Sequence, residues 1–119
     1  MNGKGLHIIA NFFGCENASL LVDKEKLNNL FLDSVKKNGL THIHDFFYKF
    51  GEGGITGYIL LSESHISIHT WPEKENYVAM DIFVCNYSKD NVENAKKIYE
   101  ELKFIFKPKR VEETFLDRE

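Results

Sequence analysis

Apolar residues recur along the chain with two different periods, and these periods distinguish strands from helices. Helical spacing predicts one helix from an N-cap at Asp23 to about Lys37. It predicts a second helix from a cap at Ser88 or Asp90 to about Phe104. Near-continuous or alternating apolar runs predict strands at residues 5–13, 41–50, 55–61, 65–71, 77–85 and 109–115.

This order of elements is typical of an α+β fold, in which an antiparallel sheet carries its helices on one face. We therefore expect a two-layer sandwich with both helices packed on the same face. At 119 residues the chain is expected to form a single domain, residues 1–119, small enough to gain stability from oligomerisation. The last residues, 116–119, are expected to fray.

Composition and charge narrow the classes of function. A formal net charge of −3 without a local basic run argues against nucleic-acid binding. The sequence shows neither a charged-then-apolar signal pattern nor an apolar stretch of membrane-spanning length. We therefore expect a cytoplasmic protein without a membrane partner. Its two cysteines, Cys15 and Cys85, are expected to remain reduced.

The most informative stretch runs from Leu61 to Glu73 and reads LSESHISIHTWPE. As a strand it places His65, His69 and Trp71 on one side and two isoleucines on the other. Ordinary polar-out alternation on a sheet with one wet face would explain this pattern without any chemistry. The neighbouring residues argue against that explanation, because a Glu-Ser pair precedes the first histidine and a cysteine follows shortly downstream.

This segment resembles the self-processing segment of the small prokaryotic S-adenosylmethionine decarboxylases, which are pyruvoyl enzymes. The resemblance covers roughly residues 5 to 110, and the thirteen-residue segment is its most specific part. It implies decarboxylation of S-adenosylmethionine for spermidine synthesis. Further matches, in the family's order, are Gly5-Leu6-His7, Phe50, Gly54-Ile55-Thr56-Gly57 and the run from Asp81 to Cys85.

The resemblance implies a cofactor made from the chain itself. Decarboxylation of an α-amino acid leaves a carbanion and requires an electron sink, which protein side chains do not offer. Ser64 would attack the Glu63 carbonyl, and elimination from the resulting ester would leave a pyruvoyl group that forms a Schiff base with the substrate. Residues 1–63 and 64–119 would remain together as two chains. Neither a metal nor pyridoxal phosphate is expected.

The resemblance also implies roles for individual residues. His69 would accept the Ser64 α-proton during processing, since an imidazole titrates near neutral pH. Cys85 would return a proton to the substrate carbon, and Thr56 would support processing. Without the resemblance, Cys85 could be a small buried hydrophobic residue and Thr56 an ordinary strand threonine. The residues implied in substrate binding are Phe50, Trp71 and Glu73.

Three departures from the family's pattern keep the substrate open. Leu6 stands where a basic residue is common, Asn11 stands where an acidic one is usual, and Gly51-Glu52-Gly53 replaces a proline-containing loop. L-ornithine and L-arginine are the alternative substrates, and a non-catalytic homologue that binds an active paralogue is a further alternative. A Ser-His hydrolase is disfavoured, because the chain lacks a Gly-x-Ser-x-Gly elbow. The resemblance also implies a homodimer.

The hairpin after the processing segment permits a geometric prediction. If it closes symmetrically about Lys74, His69 faces Ala79 and Cys85 lies opposite Glu63. Four odd-numbered residues would then share one face beside the Glu63-Ser64 bond, and the Cys85 side chain would point towards Ser64. These four residues are His65, His69, Asp81 and Cys85.

Two other groups of histidines have weaker implications. His42 and His44 are expected to share one face of the second strand, but no third ligand is apparent nearby. We therefore expect an amphipathic strand there and no metal site. His7 is expected at the edge of the core, with a supporting role at the site as the alternative.

Overall fold

One antiparallel sheet of six strands organises the protein. The computed structural model describes residues 5–86 and 89–118. The strands are β1 Gly5–Phe13, β2 His42–Lys49, β3 Ile55–Leu61, β4 Ser64–Trp71, β5 Tyr77–Cys85 and β6 Arg110–Arg118. Their order in the sheet is β2-β3-β4-β5-β1-β6, so β4 and β5 lie at its centre.

Two helices, α1 (Lys24–Lys37) and α2 (Val92–Phe106), pack on one face of this sheet. The first begins where predicted, because the Asp23 carboxylate accepts a hydrogen bond from the Lys26 amide at 3.0 Å. The buried sides of both helices and of the strands form a single core. The expected α+β two-layer sandwich is therefore confirmed. The largest fully buried side chains include Phe12, Phe31, Tyr99 and Phe106.

The C-terminal strand is longer than the sequence predicts. β6 continues to Arg118, because all of its residues pair with β1, from Phe13 opposite Arg110 to Gly5 opposite Arg118. The expectation that the chain frays after residue 115 is therefore wrong for the described residues. A 3-10 helix, Ala18–Val22, also forms in the link that precedes α1.

The boundaries of α2 are also shifted. The Asp90 carboxylate accepts a hydrogen bond from the amide of Val92 at 3.0 Å, whereas Ser88, the other expected cap, lies outside the described residues. The helix ends at Phe106 rather than at Phe104. The next residue, Lys107, takes a left-handed backbone conformation.

Strands β4 and β5 pair in the predicted register, with Trp71 opposite Tyr77 and His69 opposite Ala79. Even-numbered residues of β4 are buried against the helices, and odd-numbered ones are half-buried on the other side of the sheet. We call this second side the outer face. Within residues 5–86 and 89–118, neither helix is long and apolar enough to cross a membrane. Large exposed apolar side chains on the outer face are Ile9, Phe46, Tyr48, Tyr58, Leu60 and Leu116.

Candidate active site

The Glu63-Ser64 bond lies at the junction between the β3–β4 turn and β4. The backbone amide of Cys85 donates a hydrogen bond to the Glu63 carbonyl oxygen, with an N···O distance of 3.1 Å. The Ser64 side chain faces the helices and is only 9% exposed. It lines a small cleft of about 220 Å³ together with residues of the turn and Asn91. The end of β5 thus holds the carbonyl group that Ser64 would attack.

A larger cleft of about 580 Å³ lies at the opposite end of β4. The hydroxyl oxygen of Thr56 lies 3.2 Å from Nδ1 of His69, because the two residues are directly paired across β3 and β4. The His69 ring in turn lies against Trp71, with 5.8 Å between the ring centroids. Five residues expected from the sequence to be functional therefore line this one cleft: Phe50, Thr56, His69, Trp71 and Glu73.

The two ends of β4 are far apart within one chain. His69 follows Ser64 by five residues on an extended strand, which at about 3.3 Å per residue separates them by roughly 17 Å. Cys85 is six residues beyond Ala79, the partner of His69, and so lies roughly 20 Å from it along β5. The expected sites therefore fall into two groups, one at each end of the strand.

The predicted shared face is confirmed, since alternation puts all four odd-numbered residues on the outer face. Two finer expectations are wrong within one chain. His69 does not lie beside the Glu63-Ser64 bond, because an extended strand carries it away from its own start. The Cys85 side chain does not point towards that of Ser64, because the two side chains project from opposite faces of the sheet.

Between these two ends, a hydrogen-bond network occupies the outer face. Asp81 accepts hydrogen bonds from Nε2 of His7 at 2.7 Å, from Nε2 of His65 at 3.0 Å and from the Ser67 hydroxyl. Burial raises the pKa of Asp81, but these three hydrogen bonds outweigh it and hold the pKa below its usual range. The network connects β1, β4 and β5 beside the start of β4.

The ligand atoms of His7, His65 and Asp81 lie within 4.8 Å of one another, the spacing of a possible metal site among the described residues. However, a guanidinium nitrogen of Arg118 lies 3.0 Å from Nδ1 of His7, and a guanidinium only donates. Nδ1 of His7 therefore accepts, and Nε2 carries the proton that is donated to Asp81. Because the three side chains are joined by hydrogen bonds in this arrangement, we describe the cluster as a hydrogen-bond network. His7 thus lies in this network on the outer face, away from the core between the sheet and the helices.

The two histidines of β2 do not share a face. The ladder between β2 and β3 shifts register between His42 and His44, which breaks the alternation of side chains. Nε2 of His42 lies 2.7 Å from Asp45, which also accepts a hydrogen bond from Asn28 of α1. His44 instead packs against Tyr58 on the outer face, with ring centroids 6.0 Å apart. The predicted pairing of the two rings is therefore wrong.

Both cysteines are free thiols, as expected. Cys85 pairs with Gly5 at one end of β1, whereas Cys15 follows the other end of that strand. A disulfide within one chain would require the two Cα atoms to approach to about 7 Å or less, which this arrangement excludes. Burial raises the pKa of the Cys15 thiol to about 11.

The three departures from the family's pattern differ in their relation to the large cleft. Leu6 is 4% exposed and belongs to the core between sheet and helices. Asn11 accepts a hydrogen bond from the Tyr77 hydroxyl at 2.8 Å, and Tyr77 stacks near Trp71 with ring centroids 5.5 Å apart. The glycine-rich turn that replaces the proline-containing loop lines the cleft directly.

Sequence reasoning missed one buried polar residue beside the Glu63-Ser64 bond. Asn91 is 2% exposed, and its Nδ2 donates to the Cys85 carbonyl oxygen at 2.7 Å and to Oε1 of Glu63 at 3.2 Å. An asparagine just before a helix usually indicates an N-cap, but here the side chain makes no capping hydrogen bond. An asparagine at the start of a helix was the only sequence signal for this residue. The proximity of Asn91 to Glu63 depends on the tertiary structure.

Comparison with known proteins shows the family of this chain. A family model described as S-adenosylmethionine decarboxylase matches residues 6–119. The chain belongs to the S-adenosylmethionine decarboxylase family. It is 40% identical over 117 residues to the S-adenosylmethionine decarboxylase proenzyme of Hydrogenobaculum sp. (strain Y04AAS1), covering 96% of this chain and 81% of that protein.

Other members of the S-adenosylmethionine decarboxylase family are comparably similar. The proenzyme of Methanococcus maripaludis (strain C5) is 43% identical over 112 residues, which cover 94% of this chain and 87% of the relative. The crystal structure of the adenosylmethionine decarboxylase from Aquifex aeolicus VF5 superposes with a TM-score of 0.85 at 31% sequence identity, covering 99% of this chain and 92% of that one. These similarities confirm the resemblance found in the sequence.

Proposed function

We propose that this protein is a pyruvoyl-dependent decarboxylase that acts on S-adenosylmethionine and thereby supplies spermidine synthesis. The observation that carries the proposal is the hydrogen bond of 3.1 Å from the Cys85 amide to the Glu63 carbonyl oxygen. It engages the carbonyl of the bond that self-processing would cleave, in a chain of this family. The names of the relatives favour S-adenosylmethionine over ornithine and arginine.

Self-cleavage begins when Oγ of Ser64 attacks the carbonyl carbon of Glu63. A C–O bond forms and the C–N bond breaks, which leaves an ester and a free α-amino group on Ser64. Negative charge develops on the Glu63 oxygen, where the Cys85 amide already donates, and such a preorganised donor stabilises an oxyanion. A base then removes the Ser64 α-proton and the Glu63 carboxylate departs. Water finally replaces ammonia on the resulting dehydroalanine.

The residues at this end of β4 fit a pyruvoyl group. Residue 64 begins a strand, so cleavage leaves it at a new N-terminus while β4 stays paired with β3 and β5. The group supplies the electron sink that decarboxylation requires. The half-buried thiol of Cys85 is our candidate for returning a proton to the substrate carbon, since a free thiol carries an S–H that can donate.

The large cleft suits a cationic substrate that carries an aromatic ring. Phe50 and Trp71 offer aromatic side chains, and Glu52 and Glu73 contribute negative charge. Aromatic faces attract both stacked rings and cations. S-adenosylmethionine has an adenine ring and a sulfonium, whereas ornithine and arginine lack the aromatic ring. The lining therefore supports Phe50, Trp71 and Glu73 as substrate-binding residues.

A second copy of the chain would unite the two ends of β4. The base for the Ser64 α-proton cannot be His69 of the same chain, which is roughly 17 Å away along the strand. We propose a two-fold homodimer in which the outer faces pack together and Thr56 and His69 of one protomer serve Ser64 and Cys85 of the other. The outer face supports this arrangement, because Phe46 is 57% exposed there and exposed apolar patches mark interaction sites.

The intact mass of freshly purified protein under denaturing conditions tests the cofactor. We expect two fragments, residues 1–63 and 64–119, with the second blocked and lighter by one ammonia than its serine form. Carbon dioxide release is then assayed with S-adenosylmethionine, ornithine and arginine. A stable unbroken chain would favour the non-catalytic homologue, and release from ornithine or arginine alone would overturn the assigned substrate.

Complementation between two inactive variants tests the shared site. Ser64→Ala lacks the cofactor residue and His69→Ala lacks the base, so each homodimer should be inactive. Random co-assembly makes half of the dimers mixed, and each mixed dimer has one complete site, so about a quarter of wild-type activity should return. The absence of any activity in co-expressed, mixed dimers would contradict a site shared between protomers.

A further inference from the structure

Asn91 connects the start of α2 to both sides of the scissile bond. Its side chain is almost fully buried and lines the small cleft beside Ser64. One side-chain amide nitrogen donates two hydrogen bonds, to the Cys85 carbonyl oxygen at 2.7 Å and to Oε1 of Glu63 at 3.2 Å. Its own backbone amide donates to Oδ1 of Asn86 at 2.9 Å. Asn91 is therefore held while it contacts both residues that surround the attacked carbonyl.

These contacts form a chain of hydrogen bonds that ends on the reacting group. Asn91 holds the carbonyl oxygen of Cys85, and the amide of the same residue donates to the Glu63 carbonyl oxygen at 3.1 Å. Fixing one side of Cys85 therefore limits how far its amide can move away from the oxygen that becomes negative. The hydrogen bond from Asn91 to the Glu63 side chain restrains Glu63, whose carbonyl oxygen accepts from the Cys85 amide.

The remaining polar atom of Asn91 is an acceptor. Its Oδ1 is buried and has no hydrogen-bond partner among the described residues. Buried side-chain polar atoms in folded proteins usually have a partner. The acyl shift creates a new donor in this region, because breaking the peptide bond turns the Ser64 nitrogen into an α-amino group. The side chain thus offers donors to the starting peptide and an acceptor for the product of the first step.

We propose that Asn91 is a positioning residue for the first step of self-cleavage, the shift of the Glu63 acyl group from nitrogen to the Ser64 oxygen. The proposal rests on the proposed function, since it concerns the same scissile bond. Asn91 acts through the Cys85 amide and the Glu63 side chain. Loss of the Asn91 side chain should therefore slow ester formation. It should not change the rate of the later elimination, which depends on the base.

Two variants and a matched control test this role. Asn91→Ala removes both side-chain hydrogen bonds, and Asn91→Asp keeps the shape but replaces the donor with a carboxylate that faces Glu63. Asn28→Ala is the control, because Asn28 also donates from Nδ2 to a carboxylate, Asp45, and also has a buried Oδ1 without a partner among the described residues. It lies on α1 beside β2, away from the small cleft. Thermal unfolding confirms that each precursor is folded.

The measurement is the rate of precursor cleavage, followed by intact mass with and without hydroxylamine, which attacks esters far faster than amides. Because removing a direct oxyanion donor costs about a hundredfold or more, we expect Asn91→Ala and Asn91→Asp to cleave roughly ten- to a hundredfold more slowly. Asn28→Ala should match the wild type. His69→Ala should accumulate ester that hydroxylamine cleaves, whereas hydroxylamine should not rescue the Asn91 variants.

A pH series separates positioning from a merely structural role. Protonation gives the carboxyl of Asn91→Asp one donor back, so its cleavage rate relative to wild type should rise as pH falls. Glu63 and Lys89 also line this cleft, so Asn91→Ala, which keeps both groups and adds no carboxyl, is the control for the pH series. Wild-type cleavage rates in folded Asn91 variants, or an ester that accumulates in them, would overturn the inference while the proposed function stands. An uncleaved wild-type chain would instead remove the proposed function itself.

Discussion

The Asp81 network offers the sharpest test of how the sheet is held together at the start of β4. In Asp81→Asn, the amide oxygen can still accept from His7 and His65, and the amide nitrogen can donate to Ser67. The geometry is kept and the negative charge is lost. Hydrogen bonds to charged groups contribute about 1.5–3 kcal/mol each, whereas neutral ones contribute roughly 1 kcal/mol. Because the Asp81 side chain is 22% exposed, water weakens the contribution of its charge. We expect the free energy of unfolding to fall by about 1–2 kcal/mol at pH 7.

The stability difference between wild type and Asp81→Asn should change with pH in a definite direction. The pKa of Asp81 is lower in the folded protein than in the unfolded chain, so the carboxylate contributes stability above the unfolded pKa. That stability is lost as pH falls through the folded pKa. The advantage of wild type over Asp81→Asn should therefore be present at pH 7 and shrink as pH falls below about 4.

Urea unfolding followed by the fluorescence of the single tryptophan, Trp71, measures this difference. Both proteins should carry Ser64→Ala, so that the chain is unbroken, and should be compared at one protein concentration. Asp33→Asn, on the exposed side of α1, is the control and should change little. No loss at pH 7, or an equal loss at pH 3, would refute the reasoning.

Three further predictions concern single positions. Gly57→Ala would press its Cβ against the buried ring of Phe47, and the overpacking should lower the free energy of unfolding by about 1–3 kcal/mol in thermal melts. Thr56→Val removes the hydroxyl next to His69 and should slow the elimination step about two- to tenfold by intact mass, whereas Thr56→Ser should restore it. Because burial raises the pKa of Cys15 to about 11, a variant without the other cysteine should react with a thiol reagent at pH 8 only after urea unfolds it.

Local patterns determined most of the fold from the sequence. Alternation identified the strands, helical spacing identified both helices, and the hairpin centred on Lys74 set the register of β4 and β5. These features depend on residues close together in the chain, so periodicity and turn length are sufficient to predict them. The segment from Leu61 to Glu73 was likewise specific enough to indicate the family, which the comparisons confirm.

The arrangement of the site was decided by the tertiary structure. His7 and Asp81 are 74 residues apart in sequence, and Asn91 contacts Glu63 across 28 residues, so no local pattern could pair them. The register shift between His42 and His44 also escaped prediction, because it depends on how β2 pairs with β3. Motif proximity in sequence suggested that Ser64 and His69 act together, but an extended strand puts its ends far apart. A short motif can therefore indicate residues for one function, whereas strand geometry decides whether their side chains can meet within one chain.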